Sequence, residues 1–501
     1  MRSLWHLTLL APSLLAAQTE GPLSRAAATI TPRDVMRRIA VIADDSMMGR
    51  DNPSRGLELT AQYVAAEFRR GGLRPAGESG GYIQRFGLTR WTIDTTRSTV
   101  ELRAGESRAV APVGVEARYV DGRIPEAPIR GSVLLIGGPA APGMDLRDRI
   151  VLMVVDYTKP LPPTLSQDVY RVAAGGPQAV LLLSNRDSAT FADRLRSAST
   201  PRLSLDSAED TTGSVAPIIE VHQRALGPVL AGAGLDPARL RRGSPESRTI
   251  GAGLTAELRL ARKVLSRAEL PNVVGALEGT DSALRHEYVA FSAHIDHIGL
   301  SPGQPDSINN GADDNASGVA GLVELAEAFS QPGARPRRSL LFFAPSGEEP
   351  GLLGSAHFVR HPTVPLANIV ADINMDLIGR NWPDSVIGVG MELSDLGQTL
   401  QKVVKARPEL RMTPIPDRWP EERIFYRSDH YNFARKGVPV LFFTSGTHPD
   451  YHRPSDAPER IDGEKASRLV RLLFHLGTAV GNQPARPRWT AESYLHIVDR
   501  K

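Results

Sequence analysis

After Ser266 the chain alternates short, continuously apolar runs with helix-patterned stretches: EYVAFSA, ASGVAGLVELAEAF, SLLFFAP, NIVADINMD, GVPVLFFTSG and EKASRLVRLLFHLGTAV. Runs this apolar belong to buried strands, and strand, helix, strand in succession requires a mainly parallel sheet covered by helices. The expected fold class is therefore α/β, with a mixed, mainly parallel sheet flanked by helices.

One of these runs ends oddly. SLLFFAPSGEE drives a core strand into two adjacent carboxylates, Glu348 and Glu349. Burying a carboxylate costs several kcal/mol unless a cation or hydrogen-bond donors meet it, so positive charge is expected there. Open α/β sheets place their sites beyond the carboxyl ends of the strands, and the other strands lead to the same kind of residue. EYVAFSA runs into His294, Asp296 and His297, the next loop carries Asp313 and Asp314, NIVADINM ends at Asp376, and GVPVLFFTSG leads to His448 and His452. Histidines and carboxylates gathered on one edge, in a chain without cysteine, point to a hydrolase metal site. There are enough of them for two ions about 3.5–4 Å apart, with one glutamate left to move protons.

The rest of the chain bounds this reading. At 501 residues, 41% hydrophobic and 23% charged, it is ordinary globular stock long enough for two or more domains, and a net charge of +3 indicates no nucleic-acid partner. The opening MRSLWHLTLLAPSLLAAQTE reads as a signal peptide over 1–17, too short and interrupted for a membrane span, so export to a periplasmic or extracellular space without a membrane anchor is expected. Segment 30–98 is helix-patterned at its start. Segment 99–254 changes to short Val- and Ile-rich strands (GSVLLIGG, RIVLMVVD, QAVLLLSN, VAPIIEV) and is expected to be a mostly β inserted domain. The catalytic part follows over 255–482, and 483–501 reads as a surface tail.

SAHIDHIG, NNGADDNASGVAGLVELAEAF, LLFFAPSGEEPGLLGSAHF, NMDLIGR, SDHYNF and HPDYHRPSD, in this order, resemble the zinc-dependent aminopeptidases of peptidase family M28, over about 271–480. The early DDSMMGRDNPSRG and FRRGGLRPAG resemble that family's amino-terminal segment, and the insert is similar in texture to a protease-associated domain. The resemblance implies a zinc-exopeptidase fold and two zinc ions. It assigns Asp313 as the bridging ligand, followed by a cis peptide, with His294 and Asp376 completing one site and Glu349 and His452 the other. It further implies Glu348 as general base, Tyr451 as a donor to the developing oxyanion, and Asp296 as the carboxylate that orients His294.

Other residues are read blandly. The family motifs do not use His297 and His448 as ligands. Asp314 reads as the cap of a helix beginning near Ala316. Ser428, Asp429 and His430 are consecutive and cannot converge as a triad, so they are expected as loop residues near the pocket. GESGG at Gly77 has no preceding strand, and no HExxH occurs. The expected activity is removal of amino-terminal residues from peptides. A carboxypeptidase or dipeptidase on the same scaffold is the alternative, which Arg423 and Arg427 keep open, and a cyclase-like or inactive binding protein is a more distant one.

Overall fold

The computed structural model of the chain describes residues 21–136, 145–158, 165–198, 200–206, 215–236, 253–303 and 305–499. The signal-peptide reading over 1–17 lies outside them. Among the described residues no helix is long and apolar enough to cross a membrane. The chain forms two compact units, one of Met1–Gln84, Pro271–Glu348 and Phe358–Lys501, the other of Arg85–Leu270 and Glu349–His357.

The first unit is built on a mixed sheet. Its strands include β1 (Arg262–Leu277, paired with β3 from Val273), β2 (Tyr288–Ser292), β3 (Ser339–Ala344), β4 (Ile369–Met375), β5 (Ser385–Val389), β6 (Thr413–Ile415) and β7 (Val440–Thr444), in spatial order β6-β5-β7-β4-β2-β3-β1. The central strands β7, β4, β2 and β3 run parallel, while β1 on β3 and β5 on β7 are antiparallel. Every residue of β3, β4 and β7 is buried, which is why these segments read as continuous apolar runs. Since the central strands point one way, their carboxyl ends share one edge, and the histidines and carboxylates collect there.

Helices α1 (Pro32–Ile42), α2 (Arg55–Arg70), α3 (Gly318–Ser330) and α4 (Gly463–Asn482) belong to this unit. The Thr31 hydroxyl caps α1 by accepting from Asp34 N at 3.1 Å, and Ser54 caps α2 through Leu57 N at 3.1 Å. Helix α3 buries nearly its whole length and packs against α1, α2 and α4. Phe291 of β2 stacks on Phe342 of β3 (5.8 Å between centroids), and Phe329 of α3 meets Phe474 of α4 at 4.4 Å.

The helix expected near Ala316 begins two residues later, after a wide turn over Ala312–Ser317. Asp314 is not its cap: Gly318 N–H donates to Asn315 Oδ1 at 3.0 Å, and Asp314 stays non-helical (φ −105°, ψ 93°). The cis peptide expected after Asp313 lies one residue on, between Asp314 and Asn315.

The second unit contains an eight-stranded sheet whose inner strands Ile129–Ile136, Arg149–Val155, Ala179–Ser184 and Ile218–His222 are parallel. It also carries helices Leu165–Ala174, Ser188–Ala198 and Gln223–Gly232, so it holds more helix than its strand-rich texture suggests. Parallel neighbours require crossover connections, and helices Leu165–Ala174 and Ser188–Ala198 lie in two of them. Its extent is wider than the expected 99–254.

Candidate metal centre

Strand β2 delivers His294 and Asp296 directly after its last residue. Buried His294 points Nε2 toward Asp376 Oδ1 at 3.3 Å and Asp314 Oδ1 at 3.5 Å, with Glu348 Oε2 at 4.0 Å. The other oxygen of Asp314 faces a second pair of imidazoles: His452 Nε2 lies 3.2 Å from Oδ2 and His297 Nδ1 3.8 Å from it. Potential ligand atoms of His294, Asp314 and Asp376 lie within 4.8 Å of one another, and so do those of His297, Asp314 and His452. Asp314 belongs to both groups.

The Asp313 carboxylate, expected to bridge the ions, lies outside both groups. Asp313 Oδ1 accepts the Gly379 N–H at 2.6 Å, and its Oδ2 faces His448 Nε2 at 3.4 Å, away from both groups. The wide turn causes this, because it gives two chemically identical neighbours opposite surroundings. Gly311 (φ 59°) makes the turn possible, since a Cβ there would fall 2.2 Å from Asp314 O and 2.6 Å from the His297 ring. Asp456 holds the turn from below, accepting from Asp313 N and Asp314 N at 3.1 Å each. Burial, reinforced by the neighbouring Asp313 charge, pushes its carboxyl up to about 6.

The amino-terminal segment adds a second clamp. Fully buried Arg50 donates to the carbonyls of Ile42, Ile295, Asn310, Gly311 and Asp314 at 2.6–3.3 Å. It thereby ties both ligand-bearing loops to the chain just after α1. Asn52 Nδ2 donates to Asp296 Oδ2 at 2.6 Å, and Asp296 Oδ1 accepts the Glu348 N–H at 3.1 Å. Asp296, expected to orient His294, places its carboxylate 3.7 Å and its carbonyl oxygen 3.3 Å from His294 Nδ1. The same carboxylate also anchors the backbone of Glu348. Glu349 follows one peptide bond later, in the segment that groups with the second unit.

A cavity opens beside the centre, lined by the polar Asp314, Glu348, Asp376, Tyr451, Glu422 and Arg427 and by the apolar Leu377, Trp419, Ile424 and Phe442. Glu422 and Arg427 form a half-exposed pair at 3.6 Å. Arg423 lines a different cavity. The Tyr451 ring stacks on His452 at 3.9 Å. Ser428 was expected only as a loop residue, yet it donates to Asp376 Oδ2 at 3.0 Å.

The donor set suits zinc. It offers imidazole nitrogens and carboxylate oxygens, no thiolate, and buried negative charge that calls for a cation. Burial opposes a charge on His294, yet the Asp376 and Glu348 carboxylates hold its imidazolium well above the ordinary histidine range. The cluster attracts positive charge even in competition with desolvation.

Sequence reasoning gave Asp314, His297 and Ser428 blander roles and did not single out Asp456 or Arg50. The doubled Asp in GADDN, the final Asp of HPDYHRPSD and the Arg of DDSMMGRD were visible signals, but nothing in the linear order assigns each a direction.

A mixed sheet covered by helices, with a cysteine-free cluster of histidines and carboxylates at its carboxyl edge, is an arrangement suited to holding a metal ion. Residues 272–477 match Peptidase family M28. Aminopeptidase YwaD of Bacillus subtilis (strain 168) is 25% identical over 233 residues, 43% of this chain and 46% of that protein. Leupeptin-inactivating enzyme 1 of Streptomyces exfoliatus is 31% identical over 169 residues, 33% and 36% of the two chains. The chain thus spans under half the length of these two curated relatives. Among solved structures, the aminopeptidase from Aneurinibacillus sp. strain AM-1 is similar in fold, with a TM-score of 0.50 at 18% identity over 96% of this chain and 100% of that one.

Proposed function

We propose that this chain is an exported metallo-aminopeptidase that holds two zinc ions and releases amino-terminal residues from peptides. The observation that carries the reading is Asp314, whose two oxygens face two different histidine groups. On this reading Asp314 would serve both ions, with His294 and Asp376 holding one and His452 and Glu349 holding the other. Bound zinc supplies Lewis acidity that activates water and polarises the scissile carbonyl.

The chain's own groups do the rest. Glu348, held by its backbone N–H on Asp296, accepts a proton from the attacking water at its carboxylate and returns it to the leaving amine. The Tyr451 hydroxyl, on the wall of the same cavity, donates to the developing oxyanion. The carboxylates of Asp314, Glu348 and Asp376 that line the cavity favour a positively charged α-amine, which supports the amino-terminal reading. Apolar Trp419, Ile424 and Phe442 receive the side chain of the residue released.

A second reading rests on Arg427, which lines this cavity and can hold a peptide carboxylate, as a carboxypeptidase or dipeptidase requires. One panel separates the two. Zinc content and hydrolysis of amino-acid arylamides, free and N-acetylated peptides are measured before and after chelation. Two zincs per chain with chelator-sensitive release from free-amine substrates only are expected. Equal cleavage of acetylated peptides at their carboxyl end would transfer the assignment to the second reading.

A further inference from the structure

Beneath the centre, β4 is buried along its whole length yet carries two polar side chains, Asp372 and Asn374. They join Ser292 and Ser428 in a line that ends at Asp376, and these four residues have no exposed surface. Ser292 Oγ lies 2.9 and 3.1 Å from the two Asp372 oxygens and 2.9 Å from Asn374 Oδ1. Asn374 Nδ2 donates to Ser428 Oγ at 2.8 Å, and Ser428 donates to Asp376 Oδ2 at 3.0 Å.

Counting protons decides the direction of this line. Ser428 has one hydrogen and spends it on Asp376, so it must accept from Asn374, which turns the Asn374 oxygen toward Ser292. The single Ser292 hydrogen then goes to Asn374, and nothing is left for Asp372 to accept. Turning the amide round would satisfy an ionised Asp372, but it would draw the Ser428 hydrogen away and set two acceptor oxygens, Ser428 and Asp376, against each other at 3.0 Å. Every contact is satisfied at once when Asp372 carries a proton and donates it to Ser292.

We propose that Asp372 is held as the neutral acid and heads a one-directional hydrogen-bond chain, Asp372 to Ser292 to Asn374 to Ser428, that positions the Asp376 carboxylate for its metal. Asp372 is a positioning residue in this scheme and touches no substrate. Burial pushes its carboxyl up to about 8, and the negative charge of Asp429 reinforces the shift. The proposal rests on the reading of Asp376 as a ligand.

Zinc affinity, measured by chelator competition on the full chain, tests it together with the infrared absorption of protonated carboxyl groups. Asp372→Asn retains an N–H donor toward Ser292 and is expected to bind zinc as the parent does. Asp372→Ala and Ser428→Ala are each expected to bind about 10- to 100-fold more weakly, with the double variant no weaker than either single one. A protonated-carboxyl band present at neutral pH in the parent should vanish in Asp372→Asn. Absence of that band, or additive losses in the double variant, would overturn the proposal. A parent chain that binds no zinc would instead refute Asp376 as a ligand, with the band still reporting the state of Asp372.

Discussion

At the residue scale, the two neighbouring aspartates carry the most discriminating test. Asp314→Asn should abolish binding of at least one zinc, because it weakens an oxygen shared by two groups, whereas Asp313→Asn should leave the zinc content close to that of the parent. Metal analysis of the two purified variants checks this, and an equal loss in both would restore Asp313 as a ligand. Glu348→Gln should keep its metal and lose about 10²- to 10⁴-fold in kcat, the usual contribution of a positioned general base. Unchanged turnover would remove Glu348 from the mechanism.

At the scale of elements, the loops at the strand ends depend on Arg50. Replacing it with Ala removes a shared side-chain donor from five buried carbonyls, so a loss of about 3 kcal/mol or more is expected in a denaturant titration. The same variant should bind zinc less tightly, since the carbonyls of Ile295 and Asp314 adjoin or belong to ligand-bearing loops. Phe342→Ala tests the layer beneath. It removes a fully buried ring stacked on Phe291 and should cost about 3–5 kcal/mol without altering the metal stoichiometry of the folded fraction.

At the scale of the whole molecule, two buried groups give stability opposite dependences on pH. Burial pushes the His430 imidazole down to about 3, from 6.5 when unfolded, so the unfolded chain binds more protons between these values and stability is lost as pH falls through that window. Asp372, up to about 8 from 3.8, works in reverse: the folded chain keeps a proton that the unfolded chain releases, and stability declines as pH rises from 3.8 toward 8. His430 stacks on Phe442 at 4.7 Å, so His430→Phe should keep the packing and flatten the acid limb of unfolding free energy against pH. An unchanged acid limb would shift its origin to other groups.

The order of buried strands, the class of fold, the edge at which polar groups gather, and the presence there of His294, Asp376, Glu348 and His452 were legible in the amino-acid order. Strand burial is written as uninterrupted apolar runs, and catalytic groups follow those runs because only loops at strand ends can offer polar atoms to a common point. Direction was not legible. Whether Asp313 or Asp314 faces the histidines turns on the backbone of one six-residue turn, and the role of Arg50 depends on carbonyls far away in the sequence. The line from Asp372 to Asp376 exists only once β2, β4 and the loop bearing Ser428 lie side by side. Side-chain type is a property of one position, whereas a shared ligand or a hydrogen-bond chain is a property of several positions at once, and tertiary packing alone brings those together.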